Sequence, residues 1–132
     1  MARPASSTLT PREAQIMQVL WETGPATADR IRESLPDRPH DSTVRTLLRV
    51  LEEKGCVRHT ARGKAYVYKA AVRRANAERT ALHTVLQRFF GGSAEALVLR
   101  LIEDEHISPE QLEELRRQAG GSRPSAGDGG GA

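Results

Sequence analysis

Between residues 42 and 49 the chain sets Ser42, Thr43, Arg45, Thr46 and Arg49 among Val44, Leu47 and Leu48. At about 100° per residue, Ser42, Thr46 and Arg49 share one helix face, with Thr43 and Arg45 on its flanks. Val44, Leu47, Leu48 and Leu51 form the opposite, apolar stripe. The outward set offers directional hydrogen bonding. A guanidinium can donate two hydrogen bonds to a guanine edge, and a threonine can meet a thymine methyl or a phosphate. That chemistry suits a helix lying in a DNA major groove, whose N-terminal N–H groups also face any nearby anion. A plain solvated face has the same composition, so the residues just C-terminal to the helix carry weight. Arg58 and His59 sit on an incoming β-run, and Arg62 and Lys64 on the loop after it. Cations on a protruding loop grip phosphates and fix register without reading bases.

Other chemistries find less support. His40, His59, His83 and His106 lack metal-ligand spacing, so no metal site is expected. Cys56 follows a helix-ending glycine, which favours a small buried role over redox sensing. Tyr66 and Tyr68 share one strand face and are expected to pack on the helices. No nucleophile elbow or glycine-rich phosphate loop occurs, and neither an enzyme nor a cofactor is expected.

The elements that position the polar set read in order. Thr10, Pro11 and Glu13 make a capping box ahead of Ile16, Met17 and Leu20, and Gly24-Pro25 ends that helix. Thr27 opens a second helix with Ala28, Ile31 and Leu35 inward, stopped by Pro36. Asp41 or Ser42 is expected to cap the third, which Gly55 closes. Cys56–His59 and Ala65–Lys69 then form a hairpin. From about Val72 helix returns, with Leu82, Val85, Leu86, Phe89 and Phe90 in one stripe broken at Gly91-Gly92. Ser93 starts a fifth helix, and Ser108-Pro109-Glu110-Gln111 opens a sixth, with Ile107 and Leu112 placed as a hydrophobic staple.

The expected class is mainly α with a small β-hairpin wing: a winged helix-turn-helix domain over 9–71 and a helical dimerisation domain over 72–119. Residues 1–8 and 120–132 read as disordered ends. Charge divides with the domains: residues 1–74 carry 14 Lys/Arg against 8 Asp/Glu, residues 75–132 only 6 against 9. A basic first half favours a polyanionic partner. No apolar run approaches the roughly 18 residues of a membrane span, and a single cysteine agrees with a reducing cytoplasm. Scarce aromatics imply a small core that gains from a partner subunit. Leu82, Val85, Leu86, Phe89, Leu97, Leu101, Leu112 and Leu115 are the expected homodimer contacts. A ligand-responsive winged-helix regulator of the multiple-antibiotic-resistance type and a protein-interaction module without DNA are the competing readings.

Leu9-Thr10-Pro11-Arg12-Glu13, Val19-Leu20-Trp21, the run Ser42 to Gly55, Gly63-Lys64-Ala65-Tyr66-Val67-Tyr68 and Ser108 to Leu115 together resemble the penicillinase-repressor family of the BlaI/MecI/CopY type. The resemblance covers about residues 9–119. It implies a winged-helix domain, a helical dimerisation domain and repression from inverted-repeat operators on double-stranded DNA. In the β-lactam-responsive members it also implies a membrane-bound metallopeptidase sensor linked to repressor cleavage at an Asn-Phe pair. The matching pair here is Arg100-Leu101. The copper-responsive members carry a C-terminal cysteine cluster, which this sequence lacks.

Overall fold

The computed structural model describes residues 8–122. The expected disordered stretches therefore fall, apart from Thr8 and residues 120–122, outside the described residues. The described elements are α1 (Pro11–Thr23), β1 (Ala26–Thr27), α2 (Ala28–Ser34), α3 (Asp41–Glu53), β2 (Val57–Arg62), β3 (Ala65–Ala70), α4 (Arg74–Phe90), α5 (Ala94–Asp104) and α6 (Pro109–Ser122). This is the mainly helical, winged architecture the sequence pattern implies.

Local chemistry accounts for most boundaries. Thr10 accepts from the Glu13 backbone N–H while Glu13 accepts from Thr10's, closing the α1 capping box. Thr27 caps α2 and Ser93 caps α5. Ser108 and Gln111 form the reciprocal pair at α6. The cap of α3 differs from expectation. The helix starts at Asp41, and His40 is the cap, its Nδ1 accepting from the Ser42 N–H at 3.3 Å. Asp41 sits in the first turn, where a carboxylate favours the helix dipole. The last helix also differs: α6 runs on through Gly120 and Gly121 to Ser122, past the expected break at residue 120.

The sheet has three antiparallel strands in the order β1-β3-β2. Two-residue β1 escaped the sequence pattern because only its pairing with β3 (Ala26 with Tyr68, Thr27 with Val67) makes it a strand. The hairpin strands are longer than expected. Pairing continues through Thr60–Val67 and Ala61–Tyr66 to Arg62–Ala65, leaving Gly63-Lys64 as a two-residue turn. Gly63 has φ 62°, and among the described residues only Arg38 and His106 share a positive φ without being glycine. Positive φ at the first turn residue alone is the type II′ pattern that suits strand twist. Arg62 therefore belongs to the strand, and Lys64 is the cation at the tip.

The described chain divides into two units between Val85 and Leu86, inside α4 and later than the expected boundary at 71–72. In the first, Ile16, Met17, Ile31, Val44, Leu48, Leu51, Cys56 and Val57 are essentially sealed from solvent. Trp21 Nε1 donates to the Val72 carbonyl at 2.9 Å, and Arg74 lies over the indole at 5.6 Å. Glu13 is buried beneath the cap and accepts from Lys54 Nζ at 2.7 Å, joining the start of α1 to the end of α3. In the second unit, no residue of α5 or of the α4 end is buried.

Hydrogen bonds from Lys54 and Thr10 outweigh the burial of Glu13, so its carboxyl titrates below the ordinary glutamate value of 4.5. A depressed folded-state value means its stabilising effect is full above 4.5 and fades as pH falls through the folded value. Glu13→Gln is expected to lower unfolding free energy by about 1–3 kcal/mol at pH 7. Urea unfolding at pH 7 and pH 3 checks this, with the gap between wild type and variant narrowing at pH 3.

Candidate nucleic-acid interface

The burial of α3 settles which of its residues face outward. Val44, Leu48 and Leu51 are fully buried and Leu47 packs partly against the core. Ser42, Thr43, Arg45, Thr46 and Arg49 are all exposed, as a 3.6-residue period demands. α2 and α3, joined by the turn through Pro36 and Pro39, make the helix-turn-helix pair. The Arg12 guanidinium braces this turn with a two-pronged ion pair to Asp37, at 2.9 and 2.7 Å.

The arginines of α3 are not idle. Arg45 donates through Nε to Asp41 at 2.9 Å, and Arg49 lies 3.5 Å from Glu53. Both pairs are one helical turn apart and solvent-exposed, so each contributes little stability and exchanges readily for another acceptor. The hydrogen bond and charge of Asp41, with a smaller contribution from Asp29, hold the Arg45 guanidinium above its ordinary pKa.

The hairpin residues separate by face. His59, Tyr66 and Tyr68 share the side that meets the helices, since His59 pairs with Tyr68 and Ala61 with Tyr66. His59 stacks on Tyr66 with ring centroids 4.3 Å apart, and its Nδ1 meets Glu52 of α3 at 2.7 Å. The sequence pattern offered His59 to phosphate; in the structure its contacts with Glu52 and Tyr66 also join the wing to α3. Arg58 lies on the other face, directly across from Lys69. Among the described residues, Arg58, Arg62, Lys64 and Lys69 enter no ion pair. Lys69 was missed from sequence; the signal was its strand parity with Arg58.

The C-terminal candidates are exposed or partly so. Leu82, Val85, Phe89, Leu101 and Leu115 are exposed, Phe89 by 76%. Leu86, Leu97 and Leu112 are half-buried. Val98 and Leu99 are also exposed; Val98 belongs with Leu97, Leu101 and Ile102 to the apolar run of α5 expected to face inward, whereas Leu99 was not singled out. Arg100-Leu101 lies inside α5, with Arg100 paired to Glu103 at 2.6 Å and Asp104 at 3.4 Å. Among the described residues, no three His, Cys, Asp or Glu converge as metal ligands would, and no helix is long and apolar enough to cross a membrane.

Three helices, a two-stranded wing and an exposed polar face on α3 define a winged-helix domain. Sequence comparison agrees with that geometry. The family model described as penicillinase repressor matches residues 9–120, and the chain belongs to that family. Its members are regulators rather than enzymes. The chain is 27% identical over 105 residues to a penicillinase repressor of Bacillus licheniformis, covering 78% of this chain and 82% of that protein. It is 27% identical over 106 residues to the methicillin resistance regulatory protein MecI of Staphylococcus aureus strain N315, covering 79% and 86%. A penicillinase repressor of Staphylococcus aureus is 24% identical over 106 residues, covering 79% and 84%.

Cys56 has no exposed surface, and burial pushes its thiol pKa up. Both effects suppress the thiolate. Thiol titration is expected to find Cys56 unreactive at neutral pH in the folded protein and reactive in denaturant.

Proposed function

We propose that two copies of this chain bind an inverted-repeat operator in the cytoplasm and repress transcription, each copy placing α3 in a major groove. The observation that carries the reading is the exposed row Ser42, Thr46 and Arg49, held outward by buried Val44, Leu48 and Leu51. Arg49 then reads a base edge, and Lys64 with Arg58 and Arg62 meets backbone phosphates. The relatives' names, penicillinase repressor and methicillin resistance regulatory protein, support the same assignment.

Dimerisation rests on a physical deficit. A second copy would cover Phe89, Leu99, Leu101 and Leu115, which a single chain leaves exposed. Pairing would space the two recognition helices about 34–36 Å apart, or at a multiple of that distance. It would also turn the second half-site contact into an intramolecular event. Release by cutting Arg100-Leu101, through a membrane-bound metallopeptidase, would require α5 to unwind first, because a protease takes an extended segment.

Arg49→Ala is expected to cost about 1–3 kcal/mol on operator DNA and relax preference at one base pair. Lys64→Ala is expected to weaken operator and random duplex alike. Fluorescence anisotropy on duplexes selected from genomic DNA by the purified protein checks both, and unchanged affinity in Arg49→Ala removes Arg49 from the site.

Phe89→Ser is expected to shift the protein toward monomer in sedimentation and weaken operator binding. Wild-type protein sedimenting as a monomer at micromolar concentration overturns the dimer.

A further inference from the structure

Between the wing and the helix-turn-helix lies an open, mainly polar cleft of about 430 Å³. Arg45 reaches it from α3, Lys64 and Tyr66 from the wing, and Thr27 and Asp29 from the start of α2. We propose that this cleft seats one backbone phosphate of the bound duplex. The proposal rests on the DNA-binding reading and deepens it, naming where the backbone is gripped. Thr27 and Asp29 are not among the contacts the sequence pattern offered.

A phosphodiester needs several donors converging from different directions, with charge to offset its own. The cleft supplies two cations, Arg45 and Lys64, and three hydroxyl-bearing side chains, Thr27, Tyr66 and the mostly buried Tyr68, from three separate parts of the fold. Lys64 enters no ion pair among the described residues, and the Gly63-Lys64 turn holds it at the rim. Arg45 gives only its Nε–H to Asp41. Its terminal nitrogens make no hydrogen bond with the described residues, and the guanidinium fork can turn two of them to an anion. The Thr27 oxygen accepts from the Arg30 N–H, which leaves the hydroxyl proton to donate. The Tyr66 ring is steadied by its stack on His59, which Glu52 holds in turn. Asp29 is the adverse group. It leaves the lining with one net positive charge, too little to trap small anions generally but compatible with a phosphate whose neighbours are gripped by α3 and the wing tip.

Asp29 also makes the test sharp. Operator duplexes carrying one uncharged methylphosphonate at successive positions are titrated against full-length wild type, Lys64→Ala, Tyr66→Phe and Asp29→Asn. Lys64→Ala is expected to lose roughly 3- to 15-fold on the unmodified duplex and to flatten the salt slope by about 0.9. One methylphosphonate position is expected to impose a similar loss on wild type and no further loss on Lys64→Ala. Tyr66→Phe is expected to weaken the unmodified duplex and to lose nothing more at that same position. Asp29→Asn is expected to tighten the unmodified duplex and leave that methylphosphonate duplex unchanged. Losses that add at every position, or an Asp29→Asn effect that ignores the methylphosphonate, overturn the proposal. Inorganic phosphate at constant ionic strength is expected not to displace the unmodified duplex, because one net positive charge holds a free anion weakly. Wild type binding no duplex at low salt is a separate result that overturns the DNA reading together with this one.

Discussion

The rotational setting of α3 governs everything the first unit can present. Val44, Leu48 and Leu51 are sealed in the core with Ile16, Met17 and Ile31. Each such side chain contributes about 1.5–3 kcal/mol by leaving water. Turning the helix by one residue would draw an arginine inward, and an unpaired buried guanidinium costs more than the aliphatic contact it displaces. The outward row is therefore a by-product of burial, rigid because the inward row is tightly packed.

Electrostatics divides the exposed cations into two kinds. Those of α3 rest against acids on the same helix, Arg45 on Asp41 and Arg49 on Glu53. Those of the hairpin have no such neighbour among the described residues. The first arrangement holds each arginine beside an acid one helical turn away; the second leaves the hairpin charge without a protein partner among the described residues. The two groups keep a common frame because Glu52, His59 and Tyr66 link the helix to the strand pair.

What the sequence disclosed was mainly local. Both capping boxes were legible because partner and cap lie three residues apart, and so was the α3 stripe, which is a matter of period. Strand ends were not: Ala61 and Arg62 carry little strand character, and with Thr60 they pair only because a two-residue turn brings Val67, Tyr66 and Ala65 opposite them. The His40 cap was missed because imidazole is an uncommon capping acceptor. The Glu13–Lys54 and Arg12–Asp37 pairs join residues 41 and 25 positions apart, a distance over which periodicity says nothing. The same holds for the cleft, assembled from the start of α2, the middle of α3 and the wing. The row Ser42, Thr46 and Arg49 was legible as a face; that Arg45 lines a cleft beside the wing required the fold.

The passage from β3 into α4 carries one more consequence. Val72 is buried, its carbonyl is held by the indole of Trp21, Ala71 donates to Cys56, and Arg74 covers the ring. The junction is held at several points: the indole hydrogen bond ties it to α1, whose far end is tied through Glu13 to Lys54 at the foot of α3. A continuous run of polar contacts thus connects the approach to α4 with the base of α3.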